Sequence, residues 1–266
     1  MIIPRKHSFF QIALLFLFAN GYSQKLPNKQ EKSIWAPATI KIDGKPDEWG
    51  NFQADSKANR IFYTIANDND NIYLAVMAED IIAIDKIITG GITLNISADE
   101  KDFNSSASLK VSITFPFITN READNYATSW HSYIRYKRNS TPAGLDSVIN
   151  LLNTKMDKLY KEIKITGVKE IPDSSLSVYN SNGVKAVSHF DPKARYCYEI
   201  AVPLSYFPFF KNRKATFYYD LRLKGKSERP INPIDAHTIY NEINMDAQFE
   251  AAATSVAGKL LLTKAP

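Results

Sequence analysis

The chain has one cysteine in 266 residues, so it forms no internal disulfide and no thiolate metal cluster. Its stability must come from apolar burial, for which this length and a 44% hydrophobic composition suffice. It has no Gly-X-Y period, no heptad and no longer internal repeat, which excludes collagen-like, coiled-coil and solenoid architectures. Aromatic residues make up 12%, too many for a disordered chain. Also missing are G-x-S-x-G, H-E-x-x-H and a Walker-type loop, the local signatures of several hydrolase, zinc-peptidase and nucleotide chemistries. Neither an enzymatic activity nor a cofactor is therefore expected. Nor is a nucleic acid partner, because the excess of Lys+Arg 33 over Asp+Glu 28 is small and spread along the chain.

What is present begins with a secretory pattern. Arg5 and Lys6 precede an apolar run from Phe9 to Ala19, and Gly21 and Ser23 sit at small-residue positions before a cut at Gln24. The run is shorter than the roughly 20 residues of a spanning helix, and no later stretch is long enough. Residues 1–23 are thus expected to be a cleaved signal, leaving no transmembrane anchor and an exported protein, periplasmic or extracellular. Removing them takes two basic residues and no acidic one, so the formal charge falls from +5 to +3.

Residues 24–38 carry Pro27 and Pro37 and no periodicity, and read as a lead-in segment to a domain over 39–266. The domain reads mainly as strands. Thr39 to Ile42 closes at Asp43-Gly44, and Ile61 to Ala66 and Ile72 to Val76 flank Asn67-Asp68-Asn69-Asp70-Asn71, a hairpin signal. That Asn/Asp run has oxygen ligands for Ca²⁺, but lacks the glycine and distal Glu of a calcium loop, so a turn is expected. Ile92 to Ile96, Leu109 to Phe115, Ile163 to Ile171, Val184 to Ser188, Arg195 to Val202 and Thr216 to Leu223 are further strand candidates. Thr119 to Thr141 shows neither period and reads as an insertion or long connection. Leu145, Val148, Ile149, Leu152, Met156 and Leu159 fall at helical spacing after Thr141-Pro142, which predicts one inserted amphipathic helix near 143–160. Many short strands and one helix predict an antiparallel β-sandwich.

Four segments, in order, resemble the family-9-type carbohydrate-binding module, a DOMON-like jelly-roll sandwich. They are Ile42-Asp43-Gly44-Lys45-Pro46-Asp47-Glu48-Trp49, the hairpin from Tyr63 to Asp80, Gly90-Gly91 before a strand, and Tyr198-Glu199-Ile200-Ala201-Val202-Pro203-Leu204. With a helix after the Phe115-Pro116 strand, the chain resembles exported proteins of Bacteroidetes-type bacteria. The resemblance implies a non-catalytic glycan-binding or glycan-accessory role in the cell envelope, with a pair of loop aromatics as the sugar platform. Asp43, Gly44, Asp47 and Trp49 read as its structural motif, with Trp49 buried.

Sugar recognition needs exposed aromatic faces and planar polar groups. Trp130, Tyr133 and Tyr136 are candidate platforms, and His131, Arg135 and Arg138 candidate donors, although the same aromatics could pack the inserted helix. Cys197, within an alternating strand, reads as a buried structural thiol. His131, His189 and His237 form no local metal-ligand pair. Some DOMON-like sandwiches hold haem, for which Met77 and His189 would be the axial candidates. A protein partner at a sheet edge or at the inserted helix is the alternative to a glycan or oligosaccharide.

Overall fold

The computed structural model describes residues 25–104, 110–137, 142–207, 209–210, 216–225 and 245–265. The expected signal at 1–23 lies outside them, as do Thr141, Arg138 and His237.

The described chain is mostly β, with two six-stranded sheets and four helices. In chain order the elements are β1 (Ile34–Trp35), β2 (Ala54–Ser56), β3 (Ile61–Asn67), β4 (Asn71–Ala78), α1 (Ile81–Gly90), β5 (Ile92–Ser97), β6 (Val111–Phe115), α2 (Asn120–Lys137), α3 (Pro142–Leu159), β7 (Glu162–Thr166), β8 (Ser175–Ser177), β9 (Lys185–Phe190), β10 (Tyr196–Pro203), β11 (Thr216–Leu223), α4 (Met245–Ala251) and β12 (Thr254–Leu261). Sheet I runs β1-β3-β4-β10-β9, with β2 also paired to β3, and sheet II runs β12-β11-β5-β6-β7-β8. Pairing is antiparallel except for β1 on β3.

Period-two alternation sets the inner faces. Ile65, Leu74 and Ile200 of sheet I share one core with Leu94, Ile113 and Leu221 of sheet II. Tyr63 and Tyr219 join the sheets through hydroxyls 2.8 Å apart. The Asn67–Asn71 turn is held by Asp68, whose Oδ1 accepts the N–H groups of Asp70 (2.8 Å) and Asn71 (2.7 Å) and whose Oδ2 accepts from the Tyr73 hydroxyl (2.6 Å). Gly167 ends β7 at φ +84°, where a Cβ would stand 2.1 Å from the carbonyl oxygen of Lys110.

Three expectations need correction. Besides α3, which matches the predicted helix, three further helices are present among the described residues. The apolar run 81–88 is α1, started by Asp80, whose carboxylate accepts from the N–H groups of Ile82 and Ala83. The stretch assigned to a connection is α2: Ala123, Tyr126, Ala127, Trp130 and Tyr133 form one buried stripe at helical spacing. Its start is a capping box in which Glu122 Oε2 accepts from Thr119 N–H (3.1 Å) and Thr119 Oγ1 accepts from Glu122 N–H (3.3 Å). Third, part of the lead-in segment is built into the fold. Gln30 is buried, exchanges two 2.7 Å hydrogen bonds with the backbone of Ile65, and donates its N–H to the hydroxyls of Tyr63 and Tyr219. Its pairing is with backbone and hydroxyls rather than through a hydrophobic period, so no pattern announces it.

Candidate functional site

The outer face of sheet I carries the second apolar cluster, in which Trp49, Tyr73, Ala75 and Ala201 are packed by Ile40, Ile42 and Phe52. Residues 42–52 cross this face and are anchored by one side chain, Glu199 of β10. Glu199 is fully buried and accepts from Trp49 Nε1 at 2.7 Å, Gly44 N–H at 2.7 Å and Asp43 N–H at 3.1 Å. Gly44 is required by its φ of +80° and by the His189 ring, 2.9 Å from where a Cβ would stand. Asp43 Oδ1 closes the turn by accepting the N–H of Lys45. Asp47 and Glu48 lie in the 3-10 turn Pro46–Trp49, and Trp49 is buried, its ring 5.8 Å from that of Tyr73.

Burial pushes the Glu199 carboxyl from its ordinary 4.5 up to about 6, against the opposing pull of Trp49 and the two backbone N–H groups. The folded protein then holds this proton more tightly than the unfolded chain does. The stabilisation tied to it is complete below about pH 4.5 and is lost as pH rises through about 6, on the order of 2 kcal/mol in all. Denaturant titrations from pH 4 to 7 on the wild type and Glu199→Gln check this. The stability difference, wild type minus variant, should fall by that amount across the window, and a flat difference would contradict it.

The loop fixed in this way opens a depression of about 600 Å³ over sheet I, lined by Asp47, Asn51, Phe52, Phe62, Met77 and Arg195. Phe52 and Phe62 are half-buried, with ring centroids 6.4 Å apart and planes 40° from parallel. Gln53 N–H bonds to Thr64 Oγ1 (3.1 Å) and seats the loop on β3 just after Phe52. Asp47 and Asn51 are exposed, and Asp191 Oδ2, 2.6 Å from Nε, fixes the Arg195 guanidinium at the rim. The site offers two apolar ring surfaces beside a carboxylate, an amide and a guanidinium.

The aromatics singled out in the sequence stand elsewhere. Trp130 and Tyr133 are each 2% exposed, and Trp130 is stacked between Tyr133 (5.3 Å) and Phe190 (4.5 Å). They pack α2 onto β9 and have no open face for a ligand. His131 is half-exposed and pairs with Asp85 of α1 at 2.6 Å, joining the two helices. The side chains of Arg135 and Tyr136, like all of Arg138, lie outside the described residues. Met77 and His189 flank Cys197 in one cross-strand row on the outer face of sheet I, so they point the same way and cannot approach one iron from opposite sides. Cys197 is buried, and burial pushes its thiol up to about 12, far from a reactive thiolate.

A second cleft, of about 540 Å³, lies beside Tyr179, the most exposed aromatic among the described residues. Lys161 Nζ stands 4.8 Å over the Tyr179 ring and donates to its hydroxyl at 2.6 Å. Asn180 commits its amide to Ser177 O, Val184 O and Asn182 N–H. Both side chains are engaged within the protein.

Among the described residues no helix is long and apolar enough to cross a membrane, and no cluster of His, Cys, Asp or Glu is arranged to hold a metal ion. Comparison of the chain with protein-family models, curated proteins and solved structures finds no match.

Proposed function

We propose that the two sheets form a jelly-roll sandwich of the family-9-type carbohydrate-binding kind, exported after cleavage of residues 1–23, which holds a glycan without covalent chemistry over Phe52 and Phe62. The observation carrying this reading is the pair of half-buried rings opening on one depression with Asp47, Asn51 and Arg195 at its rim. A pyranose presents C–H groups on its faces and hydroxyls around its edge. The rings receive the first, and the planar carboxylate, amide and guanidinium pair with the second. The Asp43-to-Trp49 motif and Glu199 then have a role in the same site, because they fix the loop that carries Asp47, Asn51 and Phe52.

Phe62→Ala and Asn51→Ala should each weaken glycan affinity about ten-fold or more, since losing a stacked ring or a paired amide costs about 1.4 kcal/mol or above. Tyr179→Ala should leave it unchanged. Calorimetric titration of the three variants checks this, with melting curves to confirm folding. Wild-type affinity in Phe62→Ala together with loss in Tyr179→Ala would move the site to the second cleft and overturn the assignment.

A further inference from the structure

We propose that the free edge of β9 docks an extended segment of a protein partner, which pairs with it as an added strand. β9 is the last strand of sheet I. Strand parity decides where its backbone groups point. Leu204 N–H continues the β10–β4 ladder by bonding to Asp70 O (2.7 Å), so the even residues of β10 face β4. Its odd residues Cys197, Glu199 and Ala201 then face His189, Val187 and Lys185 of β9. The even residues of β9 therefore direct their N–H and C=O groups away from the sheet.

Side chains cover that edge at its two ends. Asn153 of α3 donates to Phe190 O (2.9 Å) and accepts from Phe190 N–H (2.8 Å), and Asn180 donates to Val184 O (2.8 Å). Between them, the N–H and C=O groups of Ala186 and Ser188 have no hydrogen-bond partner among the described residues. The cleft of about 540 Å³ beside Tyr179 runs along this interval, since the consecutive residues Val184 to Ser188 all line it. At about 3.4 Å per residue they present about 17 Å of edge.

Four unpaired backbone groups in a row match a strand, which supplies the complementary donors and acceptors whatever its sequence. The cleft is walled by α3 and by residues 178–183, so it admits one extended chain, whereas a second copy would have to bring a whole sheet between those walls. Side chains add selectivity. Ala186 and Ser188 turn inward, and Phe115, Met156 and Val178 give the cleft apolar lining for the residues set opposite them. The charged groups lining the cleft are Lys161, Lys185 and Asp157. Lys161 donates to the neutral Tyr179 hydroxyl, Asp157 bonds to His189, and Glu162, next to Lys161, accepts from Ser175 Oγ (3.3 Å). Exposed Lys185 on the outer face of β9 is therefore complemented by an acidic residue directly across from it. The edge shares no lining residue with the Phe52–Phe62 depression and does not depend on it.

The test is NMR and calorimetric titration of the isotope-labelled protein with the peptide acetyl-TVTVET-amide. In antiparallel register its valines stand opposite Ser188 and Ala186 and its glutamate opposite Lys185. Saturable binding is expected, with amide shifts centred on Ala186 and Ser188 and slowed exchange of both. Methylating the two valine nitrogens removes the donors to Ala186 O and Ser188 O and should weaken binding about ten-fold or more, and changing the glutamate to lysine should weaken it about five-fold. Ala186→Pro removes one outward N–H at an edge position that tolerates proline, and should also cost about ten-fold, while Phe62→Ala leaves affinity unchanged. An unchanged melting temperature would show Ala186→Pro folded, and the methylated peptide tests the pairing without any variant. No binding at millimolar peptide would overturn the proposal, as would equal affinity of the methylated peptide or shifts centred away from β9. Dimerisation in sedimentation that Ala186→Pro abolishes, without peptide binding, would give the edge to a second copy and overturn it too.

Discussion

Replacing Trp130 by alanine is expected to destabilise the protein by about 3–5 kcal/mol, the range for removing a large buried aromatic from a packed core. The indole is 2% exposed and nearly parallel to both neighbours, at 15° to Tyr133 and 17° to Phe190. Phe190 in turn meets Tyr196 edge-on at 5.4 Å, so the stack runs from α2 through β9 into the centre of sheet I. Alanine leaves a void that the rigid strand side cannot close. Trp130→Phe keeps an aromatic ring in the stack and should cost distinctly less. Urea denaturation of both variants measures the effect. Had Trp130 been a surface platform for sugar, alanine would leave stability untouched and remove only affinity, so wild-type stability in Trp130→Ala would contradict this packing.

The second large effect concerns Lys86, an α1 residue with no exposed surface. Its ammonium donates to Phe249 O (2.8 Å), Ala252 O (2.9 Å) and Thr254 Oγ1 (3.0 Å), and stands 4.1 Å over the Phe249 ring. Two of these acceptors are carbonyls at the C-terminal end of α4, where the helix dipole favours a cation. Burial, with a smaller contribution from the Arg60 charge, lowers the Lys86 pKa to about 8, so the group remains largely protonated at neutral pH. Lys86→Met matches the length and keeps the apolar stem but strands all three acceptors. A loss of about 2–3 kcal/mol is expected, the range for a hydrogen-bonded charged group. The loss should concentrate where the bonds end. Hydrogen exchange of residues 245–256 should accelerate more than that of β4 or β10, and uniform acceleration would contradict the tether.

These two residues also show where the sequence is readable. The hairpin around Asn67–Asn71, the alternating strands and α3 follow from local periods and turn chemistry, which the tertiary structure does not override. α1 is missed because Ile81 to Ile88 is a short, largely apolar segment with Asp85 and Lys86 at its middle, whose period does not distinguish a helix from a strand, and Asp80 marks its start. α2 was legible in principle. Its stripe from Ala123 to Tyr133 and its Thr119-x-x-Glu122 start are local signals, obscured by aromatic and basic residues that suggest a binding loop.

The candidate site is less accessible to such reading. Phe62 falls on the outward set of an alternating strand, but nothing local pairs it with Phe52 across a turn and a short strand. Glu199 lies 150 residues from Trp49, and the sheet order that sets β10 beside β4 is one that alternation cannot determine. Faces are local information, whereas adjacency of strands is not.

Glycan-array binding of the purified protein tests the central claim most directly. The account predicts reproducible binding to a chemically related set of glycans by protein that melts cooperatively. Absence of binding to every glycan, from protein shown to be folded, would contradict the carbohydrate-binding reading.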